Sequence, residues 1–171
     1  MLYWLFLPAM NEVIQMDKET LSVITHLRAN ARTTLTRLAR ASGIPVSTLF
    51  DRVRNLQDFG ITRCAALLDF QKLGYGAQAT IFLKVAKEKR DELKQHLLNA
   101  APVNCLWRVN NGYDFMVECI FRDLRDFEEF SDRLERKYGV KAKEMHFVVE
   151  ELKREGFLAN ITQAKQEVRD E

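Results

Sequence analysis

The side chains best suited to chemistry in this sequence are arginines. Between His26 and Arg63 stand Arg28, Arg32, Arg37, Arg40, Arg52, Arg54 and Arg63, opposed only by Asp51 and Asp58. A guanidinium offers forked donors that match phosphate oxygens and the edge of guanine. A cluster of such groups releases condensed counterions when it neutralises phosphates. Short polar residues recur in the same stretch. At about 100° per residue, Leu49, Phe50, Val53 and Leu56 of VSTLFDRVRNLQDFGI share one helical arc. Ser47, Thr48, Asp51, Arg54 and Asn55 share the opposite arc, with Arg52 at its edge. The first arc would anchor a helix. The second suits a DNA groove, where the N-terminal residues of such a helix reach the bases. Ser47, Thr48 and Asp51 are therefore expected at bases or nearby water, Arg52, Arg54 and Asn55 at base edges or phosphate, and Arg37 and Arg63 at phosphate alone. Two plainer readings stay open: a solvated arginine-rich face, and for Arg52 a structural ion pair with a neighbouring helix.

Other chemistry finds little footing. His26, His96 and His146 are scattered, and Cys64, Cys105 and Cys119 form no CxxC pair, so neither a metal site nor a disulfide frame is expected. No phosphate loop, GxSxG or HExxH occurs, and no cofactor is expected. Trp107 and the strand cysteines read as core residues. Unpaired cysteines fit a reducing cytoplasm. The net charge is only +2, and 47% of the 171 residues are hydrophobic, ordinary for a globular chain of one or two domains. The opening MLYWLFLPAM is too short to span a bilayer and lacks a basic start and a cleavage site. It reads either as a tail packed on a dimer or as an extension upstream of the true start. No membrane association is expected.

Three helices precede a change of period. Leu21, Ile24 and Leu27 follow Asp17, a good N-cap. Leu35, Leu38, Ala39 and Ser42 follow, with Thr34 as cap and Gly43 as stop. The arginine-bearing helix comes after Gly43, Ile44 and Pro45 and ends at Gly60, which makes a helix-turn-helix. Residues 61–70 read as extended, a wing or hinge strand. Alternation then marks strands at Ala79–Val85, Val103–Val109, Tyr113–Phe121 and Met145–Val149, with helices around Leu93 and Leu97 and from Phe127 to Tyr138. The segment NNG splits the middle strands into a hairpin.

The order β-α-β-β-α-β is the ferredoxin-like unit, so the fold class is α+β. Helices cover one sheet face; Phe82, Met116, Ile120 and Val148 point to the other, which favours dimerisation. The expected domains are an N-terminal extension at 1–16, the helix-turn-helix domain at 17–63, a hinge strand and linker at 64–75, the ferredoxin-like domain at 76–150 and a helical tail at 151–171.

With both halves placed, the segments DKETLSVITHLRANAR, LARASGI, STLFDRVRNLQDFGI and GYDF, in this order and spacing, resemble the Lrp/AsnC (feast/famine) transcriptional regulators. The resemblance implies a winged helix-turn-helix that binds double-stranded DNA and a RAM/ACT-like domain that responds to a small molecule, commonly an amino acid. It implies a homodimer, often assembled into an octamer, on the nucleoid of a prokaryotic cytoplasm. Pro45 stands where the family often has a capping serine, and Cys64 where a wing glycine is usual. The family's Thr-Gly-x-Tyr-Asp turn, which borders the effector pocket, corresponds to Asn110-Asn111-Gly112-Tyr113-Asp114. By resemblance Asn110, Asn111, Gly112 and Asp114 are effector candidates; Asp114 could receive an ammonium group or simply fix the turn.

Two other functions fit the layout. Sirohaem decarboxylases resemble the same two-domain arrangement, but their catalytic stretch corresponds here to CLWRVNNGYDF, which lacks histidine. A chromatin-type protein of weak sequence preference is the other. The leading expectation is a sequence-specific regulator, not an enzyme.

Overall fold

The computed structural model describes residues 16–61, 63–110 and 112–160. The described chain falls into two compact units: residues up to Ala66 together with those from Lys153 onward, and Leu67–Leu152.

The first unit is three helices: α1 Lys18–Ala29, α2 Leu35–Ser42 and α3 Val46–Phe59. Each start and stop has a local cause. Asp17 caps α1 by accepting from the Thr20 amide at 2.6 Å, and Thr34 caps α2 by accepting from the Arg37 amide, satisfying donors that the first turn leaves unpaired. Gly43 ends α2 with φ +74°, a left-handed conformation that glycine adopts without Cβ strain. Pro45 supplies no side-chain cap to α3. Val23, Leu38, Ile44, Leu49 and Leu56 form the core between the helices, with Ile24, Leu27, Leu35, Ala39 and Val53 packed against it. Each fully buried Val, Leu or Ile of this core contributes roughly 1.5–3 kcal/mol.

The second unit is a four-stranded antiparallel sheet of order β2-β3-β1-β4. Its strands are β1 Ala77–Lys84, β2 Val103–Arg108, β3 Phe115–Phe121 and β4 Ala142–Phe147. Helix α4, Arg90–Asn99, follows β1, and α5, Leu124–Tyr138, follows β3, giving the expected βαββαβ order. Ala79, Ile81 and Leu83 of β1 alternate inward with Phe115, Val117, Cys119 and Phe121 of β3. Leu93 and Leu97 of α4 and Phe127, Phe130, Leu134 and Tyr138 of α5 close that face. The opposite face carries Phe82, Met116 and Ile120, which are half-buried, and the exposed Val148.

Four expectations are corrected. Residues 61 and 63–69 form no strand; an extended segment needs a ladder partner, and none is supplied among the described residues. Trp107 is 43% exposed rather than core. A bulge between Val103 and Cys105 shifts the register of β2, so Leu106 joins the core while Cys105 and Trp107 pair opposite Glu118 and Met116 on the open face. A one-residue slip exchanges the two faces of a strand. The last strand stops at Phe147, leaving Val149 94% exposed. Residues 151–160 are irregular rather than helical; residues 1–15 and 161–171 lie outside the described residues.

Candidate nucleic-acid interface

Helix α3 is held by its apolar side. Leu49 is fully buried and Leu56 nearly so, while Ser47, Thr48, Asp51, Arg54 and Asn55 are all exposed. The polar arc read from the sequence is thus one continuous solvent-facing strip. The exception lies at its edge. Phe50, expected among the buried residues, is 54% exposed. A position about 100° around the helix from Leu49 falls beside Arg54 rather than over the core. Its apolar identity suggested burial; the helical wheel alone could have placed it outside.

Arg52 takes the structural alternative. One guanidinium nitrogen donates to both Asp17 carboxylate oxygens at 3.0 Å and to the Thr20 hydroxyl at 2.7 Å. The other donates to Glu19 at 2.6 Å. Arg52 therefore bolts α3 to the start of α1, and it is not available as a groove contact in this arrangement. Asp17 is correspondingly acidified: the Thr20 amide bond holds its carboxyl below the ordinary 3.8, helped by the Thr20 hydroxyl and Arg52. Arg28 is also engaged. It donates to the Glu155 and Phe157 carbonyls at 2.9 and 3.0 Å and to the Glu155 carboxylate at 3.0 Å, tying the irregular C-terminal segment to α1.

The remaining arginines of the stretch, Arg32, Arg37, Arg40, Arg54 and Arg63, are exposed. None of them makes a salt bridge among the described residues. The free positive charge is thus smaller than the arginine count suggests. It lies on α3 at Arg54, on α2 at Arg37 and Arg40, and on the flanking segments at Arg32 and Arg63. Exposed and unpaired guanidiniums beside a polar helical strip can bind phosphate and read base edges.

In the second unit the hairpin between β2 and β3 is closed by the Val109 amide donating to the Asp114 carbonyl at 3.1 Å. Gly112 sits at its tip with φ +98°, and Asn110 is exposed; Asn111 lies outside the described residues. Both Asp114 carboxylate oxygens are occupied. One accepts from the Val85 amide at 3.0 Å, and the other pairs with Arg90 at 2.6 Å. Asp114 thus ties the hairpin to the end of β1 and the start of α4. The neighbouring Tyr113 hydroxyl donates to Glu144 at 2.9 Å. That bond raises the Tyr113 pKa and lowers that of Glu144, which His146 also contacts. Sequence reasoning missed this Tyr113–Glu144–His146 row on the open face, because nothing but the β1–β4 register brings β4 beside the hairpin.

Among the described residues no group of three or more His, Cys, Asp or Glu could hold a metal ion. Nor is any helix among them long and apolar enough to cross a membrane.

Comparison with known proteins matches both units. Residues 16–61 match a winged helix-turn-helix DNA-binding domain, and residues 78–158 match the Lrp/AsnC ligand binding domain. An HTH-type transcriptional regulator of Pyrococcus furiosus is 30% identical over 132 residues, 76% of this chain and 87% of that protein. The leucine-responsive regulatory protein of Rhizobium meliloti is 27% identical over 121 residues, 68% of this chain and 78% of that protein. A transcriptional regulator of Neisseria meningitidis, solved in complex with L-Met, shares the fold with a TM-score of 0.76 at 24% identity, covering 82% of this chain and 94% of that one.

Proposed function

The chain belongs to the Lrp/AsnC family of transcriptional regulators, and from that premise we propose that the outward strip of α3 enters the major groove of its operator. Ser47, Thr48 and Asp51 meet bases or bridging water, and Arg54 and Asn55 meet base edges or phosphate. Arg37 and Arg63 contact phosphate. Arg52 acts differently: its pairs with Asp17 and Glu19 hold α3 at the angle the groove requires. The single observation that carries this reading is the strip itself, exposed along its length while Leu49 and Leu56 anchor the opposite side.

The chain acts as a homodimer, which assembles further toward an octamer. The apolar open face of the sheet and the exposed Leu67 support self-association, since such a face is costly to leave in water. A dimer presents its α3 helices to successive major grooves on one side of the duplex. The effector is an amino acid, the class of molecule bound by the Neisseria meningitidis regulator. It is held at the hairpin tip by Asn110 and Gly112, with Asn111 of the same segment as a further effector candidate and Asp114 setting the shape of the tip rather than receiving the ammonium group. Binding then shifts the balance between assemblies and so alters operator affinity. The site of action is the nucleoid of a prokaryotic cytoplasm.

The test is a genome-wide map of bound DNA, repeated with single amino acids added, followed by affinity measurements on the sites found. Discrete sites are expected, with occupancy that changes for at least one amino acid. Arg54→Ala should weaken binding by about 1–3 kcal/mol. Uniform occupancy without a shared sequence would make this a chromatin-type binder, and unchanged affinity of Arg54→Ala at low salt would sink the assignment of the strip.

A further inference from the structure

One aromatic ring stands among the polar residues that α3 shows to solvent. Phe50 is 54% exposed and Val46, one turn earlier, 46%, although Leu49 between them is fully buried. Residues three and four apart are neighbours on a helix, so the exposed positions Val46, Ser47 and Arg54 flank Phe50. A phenyl ring left half in water forgoes part of the stabilisation that burial would give. This ring lies in the N-terminal half of the helix, the part that reaches base edges when such a helix docks.

Resting on the reading of α3 as the groove-entering helix, the geometry points to Phe50 as a reader of thymine. Its ring packs against the C5-methyl group of a thymine in the major groove, and Val46 shields the near side of the contact. The chemistry selects the base. Adenine, guanine and cytosine present ring nitrogen, carbonyl or amino groups to the major groove, whereas thymine adds the one apolar group found there. A phenyl ring pressed on an amino or carbonyl group leaves it desolvated and unpaired, which is unfavourable. The contact therefore favours the right base and penalises the others. Arg54, one turn further along, is placed for the adjoining phosphate or a guanine edge, so the apolar reader and the charged reader work side by side.

Uracil in place of thymine removes the methyl group and nothing else, which makes it the probe. The full-length protein is first used to select sites from random duplex DNA. The selected duplex is then prepared with uracil at one thymine position at a time, and affinities are measured for the wild type, Phe50→Ala and Phe50→Leu. The wild type should lose roughly fourfold for the methyl that Phe50 covers. Phe50→Ala should lose a similar factor on the thymine duplex and show no further loss with uracil there. Phe50→Leu should keep part of the preference. Because the ring is exposed, all three proteins should unfold at closely similar temperatures. A wild type that binds thymine and uracil duplexes equally at every position overturns the inference and leaves the groove reading standing. So does a Phe50→Ala protein that keeps the full wild-type preference; either result gives the ring another occupant, such as a second copy of the chain. A wild type that selects no DNA at all removes both.

Discussion

Arg52 and Arg54 are two positions apart on α3 and share a side chain, yet their surroundings give them different work. Arg52 is three-quarters buried and grips Asp17, Glu19 and Thr20. Arg54 has no salt bridge among the described residues. Arg52→Ala should therefore lower the stability of the first unit by about 1–2 kcal/mol, between the value of a surface pair and that of a broken buried one. Chemical denaturation should show the loss, while Arg54→Ala should leave the midpoint within experimental scatter. The reverse pattern would exchange their roles. The sequence left Arg52 open between ion pair and DNA contact for a physical reason. Its place on the wheel is an edge position, and the acids that capture it sit 35 and 33 residues earlier, at the start of a helix whose packing angle no local pattern reveals. Phe50 shows the related limit: its apolar type points to the core, while its angle of about 100° from Leu49 puts it at the edge of the buried arc.

At the scale of elements, capping and periodicity carried most of the information. Asp17, Thr34 and Gly43 mark helix boundaries by hydrogen bonds made within a few residues, so they can be read locally. The β2 register could not, because its bulge depends on pairing with β3. Residues 61 and 63–69 form no strand for the same kind of reason: extension is local, but a ladder is not. The contact between α4 and α5 carries a further consequence. His96 of α4 lies against the Tyr138 ring, with centroids 5.2 Å apart. Burial, then Lys137 and Arg133, hold its pKa below the ordinary 6.5. The folded state thus binds the His96 proton less readily than the unfolded chain does. The stability that neutral His96 gives is complete above about 6.5, the ordinary histidine value, and is lost as the pH falls through the lowered folded value. Thermal unfolding of the wild type should fall more steeply between pH 7.5 and pH 5 than that of His96→Gln. Parallel falls would mean that this histidine is not a source of the acid sensitivity.

The whole molecule raises the question of what covers the open sheet face. Phe82, Met116 and Ile120 line it from β1 and β3, and the shifted β2 adds Trp107. Trp107 is still 43% exposed in the single chain, so the bulge that defeated the sequence reading also enlarges the apolar surface. Across this surface runs the polar Tyr113–Glu144–His146 row, which can fix the register of an opposing copy. A second copy related by a two-fold axis is the simplest cover, since one self-complementary patch then serves both chains. Met116 lies near the centre, paired with Phe82 on one side and Trp107 on the other, and its side chain faces away from the core that holds the unit together. Met116→Glu should therefore leave the far-ultraviolet circular dichroism unchanged while placing a charge in the middle of the interface. Sedimentation should show a dimer or larger species for the wild type and a monomer for the variant. Operator affinity should fall with it, because a monomer engages one half-site where the dimer engages both and gains from their linkage. If Met116→Glu sediments like the wild type, the sheet face is not the surface through which the chain associates.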